Sequence, residues 1–180
     1  MIILFLVLVS VALITLIIIA IVRSNKAKEE RQKYIMAAGN IFKEDYLNYT
    51  LQNPFDNNEI YLKPQDQKTM VYIKSMNKNN RQQYVFDPNK KIIFGRDQQE
   101  CNLLINEASV SKKHCCIFSK GFDVFLADLN SSNGTVVHKG LFNNLLIDNG
   151  SMVKLESGDE IIIGSNKFKI ILFYYDVTVM

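Results

Sequence analysis

The chain has only three cysteines, Cys101, Cys115 and Cys116, and no C-x-x-C pair. An odd number without framework spacing, two of them adjacent, excludes a disulfide scaffold and suits a reducing compartment. Histidine is equally sparse, with His114 and His138 alone. Because neighbouring residues in a strand point to opposite faces, Cys115 and Cys116 cannot join one histidine around a metal, so neither a metal site nor an enzyme built on one is expected. No basic stripe is present. The formal net charge is +3, and from Lys68 onward 14 basic face 11 acidic side chains, a balance that does not suggest nucleic acid. No internal repeat occurs, and past Gln67 no helical period.

Charge is absent altogether from residues 1–22, MIILFLVLVSVALITLIIIAIV, where Ser10 and Thr15 are the only polar side chains, able to back-bond to helix carbonyls. About 21 residues at ~1.5 Å rise span ~31 Å, matching a ~30 Å hydrocarbon core. A cleaved signal peptide would need a basic n-region, a shorter apolar stretch and a small-residue cleavage site. Positive charges instead follow the run, at Arg23, Lys26, Lys28, Arg31 and Lys33. Residues 1–23 therefore read as an uncleaved single-pass anchor, meeting the cell membrane through residues 2–22, with the C-terminal part cytoplasmic.

Residues 24–67 are a juxtamembrane helix and linker in this reading. Ile35, Ala38, Phe42, Tyr46 and Tyr49 recur at spacings of three and four, one helical face. That stripe is too short for a sustained coiled coil and favours packing on a neighbour. Gly39-Asn40 marks a break, Gly39 as C-cap and Asn40 opening a second piece. From Asn53-Pro54 to about Gln67 the composition is that of a linker.

Residues 68–180 form the folded domain. Short β-rich runs separated by turn residues extend from Met70 to Phe173, about 11 short strands of an all-β sandwich. Three polar loops interrupt them: Gly95-Arg96, Ser111-Lys112-Lys113-His114 and Ser131-Ser132-Asn133-Gly134-Thr135. Taken alone, SVSKKH (Ser109 to His114) would be a solvated turn. Together, IIFGRDQQECNLLINEASVSKKHCCIF, LADLNSSNGTVV and LESGDEIIIGSNKFKI resemble a forkhead-associated (FHA) domain, a phosphothreonine-binding β-sandwich with Gly-Arg, Ser-x-x-His and Asn-Gly on successive loops. The resemblance spans roughly Lys68 to Phe173. It departs at His138-Lys139, where many members have Asn-Gly, and in an Arg96 to Ser111 loop about one residue longer than the commonest pattern.

Chemistry gives the same reading independently. Phosphothreonine carries about −1.5 to −2 charges near neutral pH and three acceptor oxygens, so its binder must converge donors. Arg96 offers a planar fork for phosphate oxygens, Ser111 a short hydroxyl bond, and Lys112 a point charge. The resemblance implies that Ser132 and Asn133 complete the phosphate pocket and hold the peptide main chain. It also implies that His114 braces the loop, with Gly95 and Gly134 as structural support, Gly134 at a position needing positive φ.

The expected function is that of a membrane-anchored phosphothreonine-peptide-binding adaptor without metal or cofactor. The alternative is a phosphate-independent FHA-like scaffold. The resemblance implies a phosphothreonine-containing partner such as a membrane Ser/Thr kinase or a cell-envelope or division protein, and the Ile, Asn and Lys bias suggests an AT-rich bacterial genome. The chain is expected to fractionate with membranes, and protease added outside intact cells is expected to leave the sandwich uncut. A soluble secreted product starting near Ser24 would contradict that topology.

Overall fold

A computed structural model describes residues 2–52, 67–77, 81–140 and 143–176. Its contacts divide the chain into two compact units, residues 1–37 and 38–180. The first unit is helical, part of α1 (Ile2–Gln52). The hydroxyls of Ser10 and Thr15 donate to the carbonyls of Val7 and Ala12, each at 2.8 Å, so the apolar stretch presents no unpaired hydroxyl hydrogen. Side chains from Val7 to Val22 are exposed, and the helix is long and apolar enough to cross a membrane.

The second unit contains the remainder of α1 and a two-layer β-sandwich. Most of the linker expected from Asn53 lies outside the described residues, and Gln67 already belongs to the first strand. Among the described residues the strands are β1 (Gln67–Ser75), β2 (Gln83–Phe86), β3 (Ile92–Gly95), β4 (Leu103–Leu104), β5 (Cys115–Lys120), β6 (Asp123–Asp128), β7 (Thr135–Lys139), β8 (Asn143–Ile147), β9 (Met152–Lys154), β10 (Glu160–Ile163) and β11 (Asn166–Asp176). Each of the β-rich runs in the sequence corresponds to one of them. One sheet has the order β2-β1-β11-β10-β7-β8 and the other β4-β3-β5-β6-β9. β3 and β4 pair in parallel, and the remaining pairs are antiparallel.

Alternation builds the core. In β6, Val124, Leu126 and Asp128 turn inward between outward Asp123, Phe125 and Ala127. Val71, Ile73, Phe94, Ile117, Leu126, Val137, Ile161 and Ile170 fill the space between the sheets, with Phe94 edge-on to Phe168 at 5.9 Å. Cys115 points into this core and Cys116 is buried on the opposite face; burial raises both thiol pKa values, leaving them unreactive.

β1 breaks the alternation, because Met70, Val71, Tyr72 and Ile73 are all buried. The outward side of the six-stranded sheet carries α1 residues: Ala38 and Phe42 are buried, and Phe42 stacks on Tyr175 at 5.1 Å, with the Lys68 ammonium 5.0 Å from its ring. Asp45 accepts from Lys90 at 2.5 Å. The stripe at Ala38 and Phe42 thus packs on a neighbour as expected. The expected break at Gly39-Asn40 does not occur: α1 is helical through both residues. Gly39 serves a close approach instead, since a Cβ there would lie 2.9 Å from the Tyr175 Oη.

Phe42→Ala is expected to cost about 3 kcal/mol, because it opens a cavity over Tyr175. Thermal or urea unfolding of the second unit reads the loss. A chain shortened to begin at Lys68 is expected to melt below one beginning at Ala38, and equal melting temperatures would show that the helical cover contributes nothing.

Candidate functional site

Three loops meet at one end of the sandwich. The Arg96 N–H donates to the Ser111 carbonyl at 3.1 Å, and the Asp97 N–H to the Lys112 carbonyl at 3.2 Å. This contact dictates the residue before the arginine: a Cβ on Gly95 would lie 2.0 Å from the Lys112 carbonyl oxygen and 2.9 Å from the Cys101 Sγ. Only glycine fits there. Cys101 itself donates to the Lys112 carbonyl at 3.1 Å.

His114 is 0% exposed and ties all three loops together. Its backbone joins Phe94 of β3 and Leu129 beyond β6. Its Nδ1 accepts from the Ser111 N–H at 3.2 Å, and its Nε2 lies 3.0 Å from the Gly134 carbonyl. An amide can only donate and a carbonyl only accept, so the ring is the neutral tautomer with its proton on Nε2. Both nitrogens are engaged, which leaves the histidine no lone pair for a metal. The ring thus lies between the Ser111 amide and the Gly134 carbonyl, one bond to each.

The Asn-Gly loop is held from behind. Asp128, 2% exposed, accepts from the Ser131 N–H at 2.9 Å and the Ser131 hydroxyl at 2.6 Å, while Ser131 Oγ accepts from the Gly134 N–H at 2.9 Å. Gly134 has φ +69°, and a side chain there would also meet Leu146 at 2.9 Å. Asp128 was not among the expected site residues, although an Asp three positions before a Ser is a turn signal.

In front, the Ser132 N–H donates to Ser111 Oγ at 3.1 Å, and the two hydroxyl oxygens are 3.5 Å apart. Ser111 thus accepts through its oxygen, and its rotatable O–H can turn to Ser132 Oγ or to solvent. The Asn133 Nδ2 donates to the Ser109 carbonyl at 2.8 Å. Arg96 and Lys112 are exposed, and among the described residues neither charged head has a hydrogen-bond or ion-pair partner, whereas Lys113 pairs with Glu100. Two uncompensated cations and two hydroxyls therefore lie on the joined loops, an arrangement suited to a multiply charged anion.

Glu107 and Ser109 were also missed. Hydrogen bonds from the Ser109 hydroxyl, and then from the hydroxyl and amide of Ser165, hold the Glu107 carboxyl below its ordinary value near 4.5. The lowered value means that this carboxylate stabilises the fold above that pH and that its contribution is lost as pH falls through the lowered value. At His138-Lys139, β7 continues through Lys139 and the chain turns at Gly140, φ +65°.

The FHA domain profile matches residues 92–164. A probable serine/threonine-protein kinase of Dictyostelium discoideum is 36% identical over 88 residues, which are 44% of this chain and 14% of the kinase's length. The solution structure of an FHA domain from an Arabidopsis thaliana protein shares the fold, with 24% identity, a TM-score of 0.50, and coverage of 60% of this chain and 87% of that one. EmbR of Mycobacterium tuberculosis, in complex with a low affinity phosphopeptide, is 24% identical with a TM-score of 0.46, over 57% of this chain and 24% of EmbR. The chain carries an FHA domain, preceded by an apolar helix that is a candidate membrane anchor.

His114→Ala is expected to lower stability first and ligand binding second, because it leaves a half-buried amide and a buried carbonyl unpaired, the carbonyl alone at ~1 to 3 kcal/mol. Melting curves test this. An unchanged melting temperature beside lost binding would make the imidazole a ligand contact instead.

Proposed function

We propose that this chain is a membrane-anchored phosphothreonine-peptide-binding adaptor whose FHA domain faces the cytoplasm. The observation that carries this reading is the pair of unpartnered cations, Arg96 and Lys112, beside the Ser111 and Ser132 hydroxyls on loops braced by His114. FHA domains are binding modules known for phosphothreonine-peptide recognition, and the kinase relative matches over 88 residues only, so its catalytic activity is not transferred. In the proposed complex Arg96 grips two phosphate oxygens, Ser111 and Ser132 donate hydroxyl hydrogens, Lys112 adds charge, and the Asn133 carboxamide holds the peptide main chain. The anchor at residues 2–22 and the basic residues after it support the cytoplasmic side. The partner class we propose is a membrane Ser/Thr kinase, or a cell-envelope or division protein, phosphorylated on threonine.

Charge-assisted hydrogen bonds contribute roughly 1.5 to 3 kcal/mol each. Four donors give ~6 to 12 kcal/mol before an association cost of several kcal/mol. Micromolar affinity, about −8 kcal/mol, therefore requires contacts to residues flanking the phosphothreonine.

A phosphothreonine peptide library screened against the chain in detergent is expected to yield binders that the unphosphorylated sequences do not match. Arg96→Ala is expected to weaken them by at least ~2 kcal/mol, about thirtyfold, with the melting temperature unchanged. Binding is expected to weaken below pH ~6, where the phosphate regains its second proton and its charge falls toward −1. Aspartate or glutamate in place of the phosphothreonine is expected to bind poorly, since a planar carboxylate cannot engage all four donors. Equal affinity for phosphorylated and unphosphorylated forms of a partner segment would leave the phosphate-independent scaffold as the function.

A further inference from the structure

Glu107 lies outside the three motifs, yet its carboxylate joins two loops. Its Oε1 accepts from the Ser109 hydroxyl and from the Ser165 N–H at 3.1 Å. Its Oε2 accepts from the Ser165 N–H at 3.0 Å, the Ser165 hydroxyl at 2.8 Å and the Asn166 Nδ2 at 2.7 Å. The seat exists because residue 164 has no side chain: a Cβ on Gly164, at φ +59°, would lie 2.6 Å from Glu107 Oε1 and 2.8 Å from Ser109 Oγ. Ser165 and Asn166 belong to the turn of the β10–β11 hairpin, which is anchored in the core by Ile163 and Phe168. On its other side, the segment bound by Glu107 presents the Ser109 carbonyl, the acceptor of the Asn133 carboxamide. A continuous path thus runs from a rigid hairpin through Glu107 and Ser109 to Asn133.

We propose that Glu107 is a positioning residue for the ligand contact of Asn133. By fastening Ser109 to the β10–β11 turn it fixes the direction of the Ser109 carbonyl, and that carbonyl selects the rotamer of the Asn133 amide. The Nδ2 is thereby directed inward and Oδ1 is turned to accept from a peptide N–H. The geometry stands by itself; its consequence for affinity rests on the phosphopeptide reading above. A contact set in advance spares the bound complex the ordering of a polar side chain and a loop carbonyl. A carboxylate suits the task because every group facing it is a donor, and only an ionised acid accepts at both oxygens.

Glu107→Gln tests this, because it keeps the shape and turns an NH2 toward hydrogen-bond donors. In the full chain in detergent micelles, the Asn133 side-chain amide signals of the unliganded protein are expected to move toward those of a free carboxamide. With a phosphothreonine peptide selected from a library, Glu107→Gln is expected to weaken binding about fivefold, and to weaken Asn133→Ala no further, since linked residues are not additive. Independent losses in that double-mutant cycle would overturn the proposal, as would unmoved Asn133 signals. If the wild-type chain binds no phosphothreonine peptide, the phosphate reading fails and the Asn133 amide signals alone decide the role of Glu107. Should Glu107→Gln not fold, Ser165→Ala removes a single donor and is expected to give about a twofold loss in the same cycle.

Discussion

A neutral imidazole is the one uncharged side chain with a rigid donor and a rigid acceptor on opposite edges of a ring, and the loop end of this protein depends on that property. His114 accepts from the Ser111 amide and reaches the Gly134 carbonyl, while its own backbone bridges Phe94 and Leu129. The ring is buried, so its bond to the Gly134 carbonyl is shielded from water and its bond to the Ser111 amide partly so. Without it, the Ser111 loop and the Ser132-Asn133 loop would share only the exposed contacts among Ser111, Ser132, Ser109 and Asn133.

Charge is distributed with the same economy. Four carboxylates at this end have structural engagements: Asp128 holds Ser131, Glu107 holds Ser109 and the hairpin turn, Glu100 pairs with Lys113, and Asp97 accepts from Gln99. Arg96 and Lys112 are left over. Their backbones are nevertheless locked, because Gly95 lets the Lys112 carbonyl approach to where a Cβ would be. Cations that point to solvent from a fixed main chain need little reorganisation to meet an anion.

On the other face of the six-stranded sheet, the physics is apolar. Met70, Tyr72 and Tyr175 would face water in a free-standing sandwich, and Ala38 and Phe42 of α1 cover that side. The helical residues after Ala37 therefore belong energetically to the β-domain, even though their composition reads as a separate segment.

Much of this was legible in the residues. The uncharged run to Val22, the short β-rich runs with turns between them, and the three loop motifs are local patterns, and local patterns report local structure through period, propensity and turn chemistry. Glycine was less legible, since its sequence signal is the same whether it ends a helix or admits a neighbour: Gly39 was expected as a cap and proved to be a gap for Tyr175. Which lysine of Lys112-Lys113 stays unpaired was decided by the reach of Glu100, and the seating of Glu107 by residues 58 and 59 positions away. Such partners depend on strand register and on which hairpin turn reaches which loop. The sequence by itself determined the apolar run, the β-rich runs and the residue types carried by the three loops. Only the tertiary structure decided which donors were consumed internally and which were left free, because hydrogen bonds are allotted by distance in space and not along the chain.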